Sequence, residues 1–204
     1  MRLKNAIIKL KTYLKQTKNR LKLKNKDFTI ISNNCWGGFV YQKFGLQYTS
    51  PTIGLFFIGI DYIKFCEKLD YYTSVELKFI PYEESKNYSL LNKESRYPVG
   101  VLDDIEVYFM HYKSEKEALL KWKKRCERIN YEKVLFKISQ REGYTKKDIE
   151  DFMNLKWKNK IAFSYDQVEG TIYVPQLRTL SGDEMAIVEN LVDYVKMIND
   201  MKKA

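Results

Sequence analysis

The chain has 204 residues, of which 45% are hydrophobic and 15% aromatic, and this composition is typical of one folded domain with a substantial core. The formal net charge of +10 comes from residues 1–26, which hold ten Lys and Arg and no acid, because the rest of the chain balances 26 basic against 26 acidic residues. A neutral body argues against a specific nucleic-acid-binding domain, and three scattered Cys with one His argue against a disulfide framework or a metal site.

Residues 1–26 are predicted to form a basic amphipathic helix. Lysines occupy the positions between apolar residues that recur at helical or heptad spacing. These apolar residues are Leu3, Ile7, Leu10, Leu14 and Leu21. This pattern favours adsorption to an anionic membrane surface, while packing against the domain or another copy of the chain and binding to nucleic acid are the alternatives. No apolar run approaches the roughly 20 residues of a membrane span. We therefore expect a cytoplasmic protein, peripheral at the inner face of the plasma membrane.

Residues 27–204 are predicted to form a single α/β domain organised around residues 28–57. A run of β-formers ends at a loop of small polar groups, and open α/β sheets place ligands at such strand ends. The candidate substrate-binding residues in this loop are Ser32, Asn33, Asn34, Trp36, Gly37 and Gly38. A simple turn is the alternative for the two asparagines.

Ser50 and Pro51 then predict the start of a helix that breaks near Gly59, resumes at residue 61 and buries Cys66. Further along, Asp103 and Asp104 are the nearest approach to a DxD pair and are candidates for substrate binding. A turn before the next strand is their alternative.

A predicted strand over residues 105–112 carries His111 near its end, and a capping box at Ser114 opens the next helix. On this helix Lys121, Arg125 and Arg128 form a basic stripe that we expect to hold a phosphate-bearing substrate, with a solvated face as the alternative.

An apolar strand at 134–139 completes a predicted strand-helix-strand unit over residues 105–139. The following segment is predicted to contain a capping box at Thr145 and strands at 160–165 and 171–174. A final helix is predicted to be capped near Ser181 and to end at about residue 201. The expected fold is a Rossmann-like three-layer α/β domain with a mostly parallel sheet.

Cys35 and His111 are the predicted catalytic residues. Motifs of the dinucleotide, P-loop, serine hydrolase and zinc protease classes are missing from the sequence. If neighbouring parallel strands bring Cys35 and His111 to one sheet edge, the thiol is a nucleophile and the imidazole its general base. A thiol that only lines a pocket is the alternative.

The segments SNNCWGG, YTSPTIGLF, DYIKF, YPVG, LDDI, HY and KWKKRCER occur in this order over roughly residues 27–175. Together they resemble a bacterial family commonly labelled exopolysaccharide biosynthesis proteins, found in capsule and lipopolysaccharide gene clusters. The resemblance implies a membrane-proximal α/β protein that serves surface-polysaccharide assembly, and it carries over no reaction and no catalytic residue.

Two functions follow as hypotheses. The first is a transferase that modifies a glycan or lipid-linked sugar, with acyl transfer as its chemistry. The second is a non-catalytic, membrane-associated partner of the polysaccharide machinery. The cofactor, the donor, the acceptor and the oligomeric state are unknown from the sequence.

Overall fold

The computed structural model describes residues 2–141, 143–180 and 182–203, and they form a mixed α/β structure, which confirms the predicted class. In this part of the chain the strands are β1 Thr29–Ser32, β2 Lys78–Ile80, β3 Val99–Leu102, β4 Ile105–Tyr108, β5 Val134–Ser139, β6 Lys160–Ser164 and β7 Ile172–Tyr173. The α-helices are α1 Arg2–Leu21, α2 Trp36–Phe44, α3 Ile60–Glu67, α4 Leu69–Ser74, α5 Glu115–Cys126, α6 Lys146–Asn154, α7 Met185–Val188 and α8 Tyr194–Asn199.

One sheet is parallel, with the strand order β1-β5-β6-β7. Every residue of β1 and β5 is buried, as expected of parallel strands covered on both faces. Because side chains alternate between faces, Ile31 and Phe136 pack in one apolar cluster and Ile30 and Leu135 in another. Ser32 lies opposite Lys137, so β1 and β5 direct their carboxyl ends to the same edge.

The other sheet is antiparallel, with the order β2-β3-β4. Leu102 pairs with Ile105, so Asp103 and Asp104 form the two-residue turn between β3 and β4, with Asp103 at a φ of 57° that such turns require. The strand-helix-strand unit predicted over residues 105–139 is therefore wrong. β4 pairs antiparallel with β3, whereas β5 belongs to the parallel sheet.

The helix predicted to start at Ser50 and Pro51 is also wrong. Residues 51–54 form a turn, in which the Ser50 hydroxyl accepts a hydrogen bond of 3.2 Å from the Thr52 N–H. Gly54 then takes a φ of 78°, which leaves the helical region, and the chain continues extended to Gly59. The helix begins only at Ile60, and it buries Cys66 as predicted.

Local capping signals are confirmed at two helices. Ser114 accepts a hydrogen bond from the Glu117 N–H at the start of α5, and Thr145 forms a reciprocal capping box at α6. The single final helix is wrong, because Asp193 caps a separate helix, α8, after an extended residue. Ser181, its predicted cap, lies outside the described residues.

The basic helix predicted near the N-terminus is confirmed as α1, and it packs against α2. Among the described helices, α1 included, none combines the length and apolarity needed to span a membrane.

Candidate active site

Cys35 and His111 lie at the ends of strands from different sheets. Cys35 stands between β1 and α2 and has helical backbone angles, with φ −69° and ψ −9°. His111 follows β4 in a turn closed by a hydrogen bond of 3.0 Å from the Tyr112 N–H to the Phe109 carbonyl. His111 Nε2 is 3.2 Å from Cys35 Sγ, and the thiol is half-buried while the imidazole is exposed. A thiol and an imidazole therefore lie within hydrogen-bonding distance.

The two side chains meet because residues 54–57 run between the two sheets. Backbone hydrogen bonds of 2.9 to 3.2 Å hold this segment against both strand ends: Phe56 with Tyr108, Phe57 with Asn33 and Gly54 with His111. The predicted route, through neighbouring parallel strands of one sheet, is wrong, since β1 and β4 are in different sheets. The structure nevertheless brings Cys35 and His111 together.

Cavities open on both sides of this pair. The larger, of about 480 Å³, has mostly apolar walls, formed by Trp36, Phe39, Phe56, Met110 and Met185. Its charged wall residues are Arg141, Asp183 and Glu184. The smaller, of about 350 Å³, is more polar: Gln42, Ile53, Tyr112, Lys121 and Arg125. Cys35 and His111 line both cavities, so the pair can be reached from either one.

A buried polar network supports the larger cavity. Lys137 on β5 is fully buried, and its Nζ lies 2.5 Å from Glu184 Oε1 and 2.8 Å from Asn34 Oδ1. Asn34 Nδ2 donates to Glu184 Oε2 at 2.9 Å, and the Ser139 hydroxyl donates to Glu184 Oε1 at 2.9 Å. Because Asn34 directly precedes Cys35, the network fixes the segment that carries the thiol.

The charge state of Glu184 follows from these partners. Burial by itself raises the pKa of this carboxyl, but the positive charge of Lys137 and the hydrogen bonds from Lys137, Ser139 and Asn34 outweigh burial and hold the pKa below its usual value. The carboxylate is 4% exposed and its lysine partner 0%. Loss of Glu184 would leave the Lys137 charge without its carboxylate in a medium of low dielectric constant, whereas loss of Lys137 would leave Glu184 with Arg141 Nη1 at 4.0 Å.

The first amides of α2 are hydrogen-bonded within the protein: Trp36 to Asn34 Oδ1 (3.2 Å), Gly37 to Ser32 Oγ (3.1 Å) and Gly38 to the Cys35 carbonyl (3.0 Å). Amides at helix starts are often available to anions, and these are already engaged. Of the predicted binding residues in this loop, those that reach a cavity are Asn34, Trp36 and Gly38, and those buried behind it are Ser32, Asn33 and Gly37.

The predicted basic stripe is half-buried and bonded to the protein. Its hydrogen bonds are Lys121 to Glu117 (2.6 Å), Arg125 to the Ile53 carbonyl (2.9 Å) and the Tyr112 hydroxyl, and Arg128 to the Tyr48 carbonyl (3.3 Å). Lys121 and Arg125 line the smaller cavity, whereas Arg128 lies beyond the end of α5. Arg125 therefore supports the wall of this cavity as well as charging it.

Asp103 and Asp104 lie away from the Cys35 and His111 pair, at the opposite end of β4. Asp104 accepts hydrogen bonds from Lys64 at 2.5 Å and Tyr72 at 2.7 Å, and Tyr71 donates to Asp103 at 2.7 Å. The hydrogen bond from Lys64 is the largest cause of a lowered pKa at Asp104. The structure thus places this predicted site in a separate surface cluster.

Sequence reasoning missed Lys137, Arg141 and Glu184. Lys137 gave a signal, because it is a single charge inside an otherwise apolar buried strand, and such charges are paired or functional. Glu184 gave none, since its partner is 47 residues away in the sequence.

The thiols of the other two cysteines, Cys66 and Cys126, have raised pKa values. Burial raises the pKa of the Cys66 thiol well above its usual value and that of Cys126 to about 12. Among the described residues, no group of three or more His, Cys, Asp or Glu is placed to hold a metal ion.

Comparison with known proteins places the whole site within one family match. A family model described as Domain of unknown function (DUF1919) matches residues 6–203. An "Uncharacterized protein" of Haemophilus influenzae is 33% identical over 164 residues, covering 80% of this chain and 74% of that protein.

Proposed function

The chain belongs to the family described as Domain of unknown function (DUF1919), and on that premise we propose that it is a thiol-dependent acyltransferase with Cys35 as nucleophile and His111 as general base. One observation carries the proposal: the 3.2 Å contact between Sγ and Nε2 in a wall shared by two cavities. The position of Cys35 after the carboxyl end of β1 supports the proposal, because open α/β sheets place ligands at the carboxyl ends of their strands.

In the proposed step the neutral Nε2 of His111 accepts the thiol proton, and the Cys35 thiolate attacks the carbonyl carbon of an acyl thioester or ester. The bond from that carbon to the donor's sulfur or oxygen breaks. The leaving group takes the proton from His111, and an acyl thioester remains on Cys35. An acceptor hydroxyl then gives its proton to His111 and attacks the thioester, which releases the thiolate to take the proton back.

The two cavities suit different substrates. The larger cavity shares Phe56 and Met110 with a further apolar cavity of about 330 Å³, whose other walls include Ile58 and Leu90. These walls favour an acyl chain, since apolar surface is stabilised by removal from water. Arg141 lines the larger cavity together with Asp183 and Glu184, donates to the Gly182 carbonyl at 3.0 Å and lies 4.0 Å from Glu184, and it is the cation of this cavity that a developing oxyanion would meet.

The smaller cavity suits the acceptor. Lys121 and Arg125 line it together with the aromatic rings of Phe39 and Tyr112. Cationic and aromatic groups together favour a phosphorylated sugar, because arginine and lysine bind phosphate and aromatic rings stack on sugar faces. We infer an acceptor hydroxyl on a glycan or lipid-linked sugar, in keeping with the resemblance to surface-polysaccharide assembly proteins.

A non-catalytic partner in polysaccharide assembly is the second candidate. The observation that favours it is the engagement of the first α2 amides by Asn34 and Ser32, which leaves oxyanion stabilisation to Arg141. In this function the cavities bind a sugar without a covalent step.

Acylation of the full-length protein tests the proposal. We expect incubation with N-acetylcysteamine thioesters to add one acyl group at Cys35, detected by intact mass and peptide mapping. His111→Ala should slow this acylation by about 10²-fold or more, the usual contribution of a general base. Cys35→Ala should abolish it, and Cys126→Ala, the matched control, should leave it unchanged.

The second candidate gives a different result. Iodoacetamide labelling of Cys35 would then follow an ordinary thiol pKa near about 8.5 and would be the same in His111→Ala. That outcome, or acylation spread equally over the cysteines, would rule out the nucleophile and leave Cys35 as a cavity wall.

A further inference from the structure

Helix α1 contacts the rest of the protein through polar side chains. Three of them donate to carbonyls at the end of α2: Gln16 to Gln42 (2.8 Å), Asn19 to Lys43 (3.3 Å) and Arg20 to Gly45 (3.0 Å). Carbonyls in the last turn of a helix lack the full set of intrahelical donors, and a cation near them is favourable. The contact with α2 therefore uses the polar side of α1.

The apolar side of α1 is left in solvent. Five large side chains on this side are strongly exposed: Ile7 46%, Leu10 58%, Tyr13 58%, Leu14 57% and Leu21 76%. A sixth, Ile8 at 60%, lies beyond the lysines on the helical projection. At 100° per residue these five fall within an arc of about 120°. Single exposed apolar residues are common in proteins, but a continuous exposed arc marks a contact surface.

The flank of this arc is cationic. Lysines 4, 11, 15, 18 and 22 follow it on the helical projection, and residues 1–26 contain no Asp or Glu. An apolar arc beside a lysine face is the pattern of helices that lie in the plane of a membrane interface. A second copy of α1 fits less well, since it would bring two lysine faces together.

We infer that α1 binds an anionic lipid surface, with its apolar arc among the acyl chains and its lysines among the headgroups. The inference does not depend on the proposed reaction. The inference does relate the position of Cys35 to the membrane, because α1 contacts the C-terminal end of α2 and Cys35 precedes the N-terminal end of α2. The nine residues of α2 span about 13 Å, so the thiol would lie about that distance from the contact between α1 and α2.

Co-sedimentation of the full-length protein with vesicles tests the charge. We expect binding to vesicles of equal phosphatidylglycerol and phosphatidylcholine, loss of binding on pure phosphatidylcholine, and release by 0.5 M salt. Lys11→Gln, Lys15→Gln and Lys18→Gln together should weaken binding on the order of a hundredfold. The matched control makes the same charge change on the exposed face of α5: Lys116→Gln, Lys123→Gln and Lys124→Gln.

A second pair of variants tests the apolar arc. Leu14→Gln should weaken vesicle binding about tenfold or more, while Leu120→Gln, at a similarly exposed leucine of α5, should not. Equal binding to both vesicle types, or undiminished binding of the α1 variants, would overturn the inference. The inference would also be overturned if the wild type does not bind vesicles and instead sediments as a dimer that Leu14→Gln dissociates.

Discussion

Replacing Glu184 by Gln tests the buried network most directly. Gln keeps the size of the side chain but leaves the charge of Lys137, which is 0% exposed, without the carboxylate that lies 2.5 Å away. Removing one partner of a buried ion pair costs about 3–5 kcal/mol. For a chain of this length each kcal/mol lowers the melting temperature by about 2–4 °C, so we expect a loss of roughly 6–20 °C.

The free energy is measured by urea unfolding and the melting temperature by thermal unfolding, both at pH 7 and followed by circular dichroism and tryptophan fluorescence. Lys137→Met combined with Glu184→Leu should recover part of the loss, because neither charge of the pair is then buried alone, while Asn34 and Ser139 still lose their hydrogen bonds to Glu184. The matched control is Asp151→Asn, which breaks the exposed pair of Asp151 with Lys147 and should cost less than about 1 kcal/mol.

The pH dependence gives an independent check. The pKa of Glu184 is lower in the folded protein than in the unfolded chain, so its ionisation adds stability above the unfolded value near about 4.3. That contribution is lost as the pH falls through the folded pKa. The deficit of Glu184→Gln should therefore be constant near neutral pH and shrink in acid. A variant within about 0.5 kcal/mol of the wild type at pH 7, or a deficit that grows in acid, would refute the reasoning.

Arg125→Gln should lower the free energy of unfolding without ligand by about 1–3 kcal/mol, because it removes hydrogen bonds to Ile53 and Tyr112, while Lys124→Gln on the exposed face should change it little; equal urea midpoints for the two variants would contradict this. Gly37→Ala should destabilise the protein by about 1–3 kcal/mol, since its Cβ would lie 3.1 Å from Ser32 Oγ. Gly38→Ala, whose Cβ meets nothing closer than 3.6 Å, should be neutral or stabilising when the two variants are compared by thermal melting. A lower melting temperature for Gly38→Ala than for Gly37→Ala would show that close packing at residue 37 is unimportant.

Local patterns in the sequence were sufficient for much of the secondary structure. The caps at Ser114 and Thr145, the buried strands β1 and β5, the helix α1 and the burial of Cys66 all follow from residues within a few positions of one another. Capping side chains bond within one helical turn, and strand or helix periods repeat over a few residues. These signals therefore hold whatever the rest of the chain does.

Errors arose where a local signal competed with a longer contact. Ser50 and Pro51 are typical of a helix start, but the Thr52 N–H bonds the Ser50 hydroxyl in a turn, and residues 54–57 instead join the two sheets. The alternation at 105–112 predicts a strand and says nothing about its partner. β4 pairs with β3 because the two-residue turn at Asp103 and Asp104 is long enough to join antiparallel strands but too short for a parallel crossover.

The sequence by itself determined that Cys35 follows a buried strand and that a basic amphipathic helix lies near the N-terminus. Only the tertiary structure decided that Cys35 meets His111, because an extended segment between two sheets aligns their strand ends. It alone also pairs Lys137 with Glu184, which are 47 residues apart. Contacts at such separations depend on how whole sheets and helices pack, and no short pattern of residues encodes that packing.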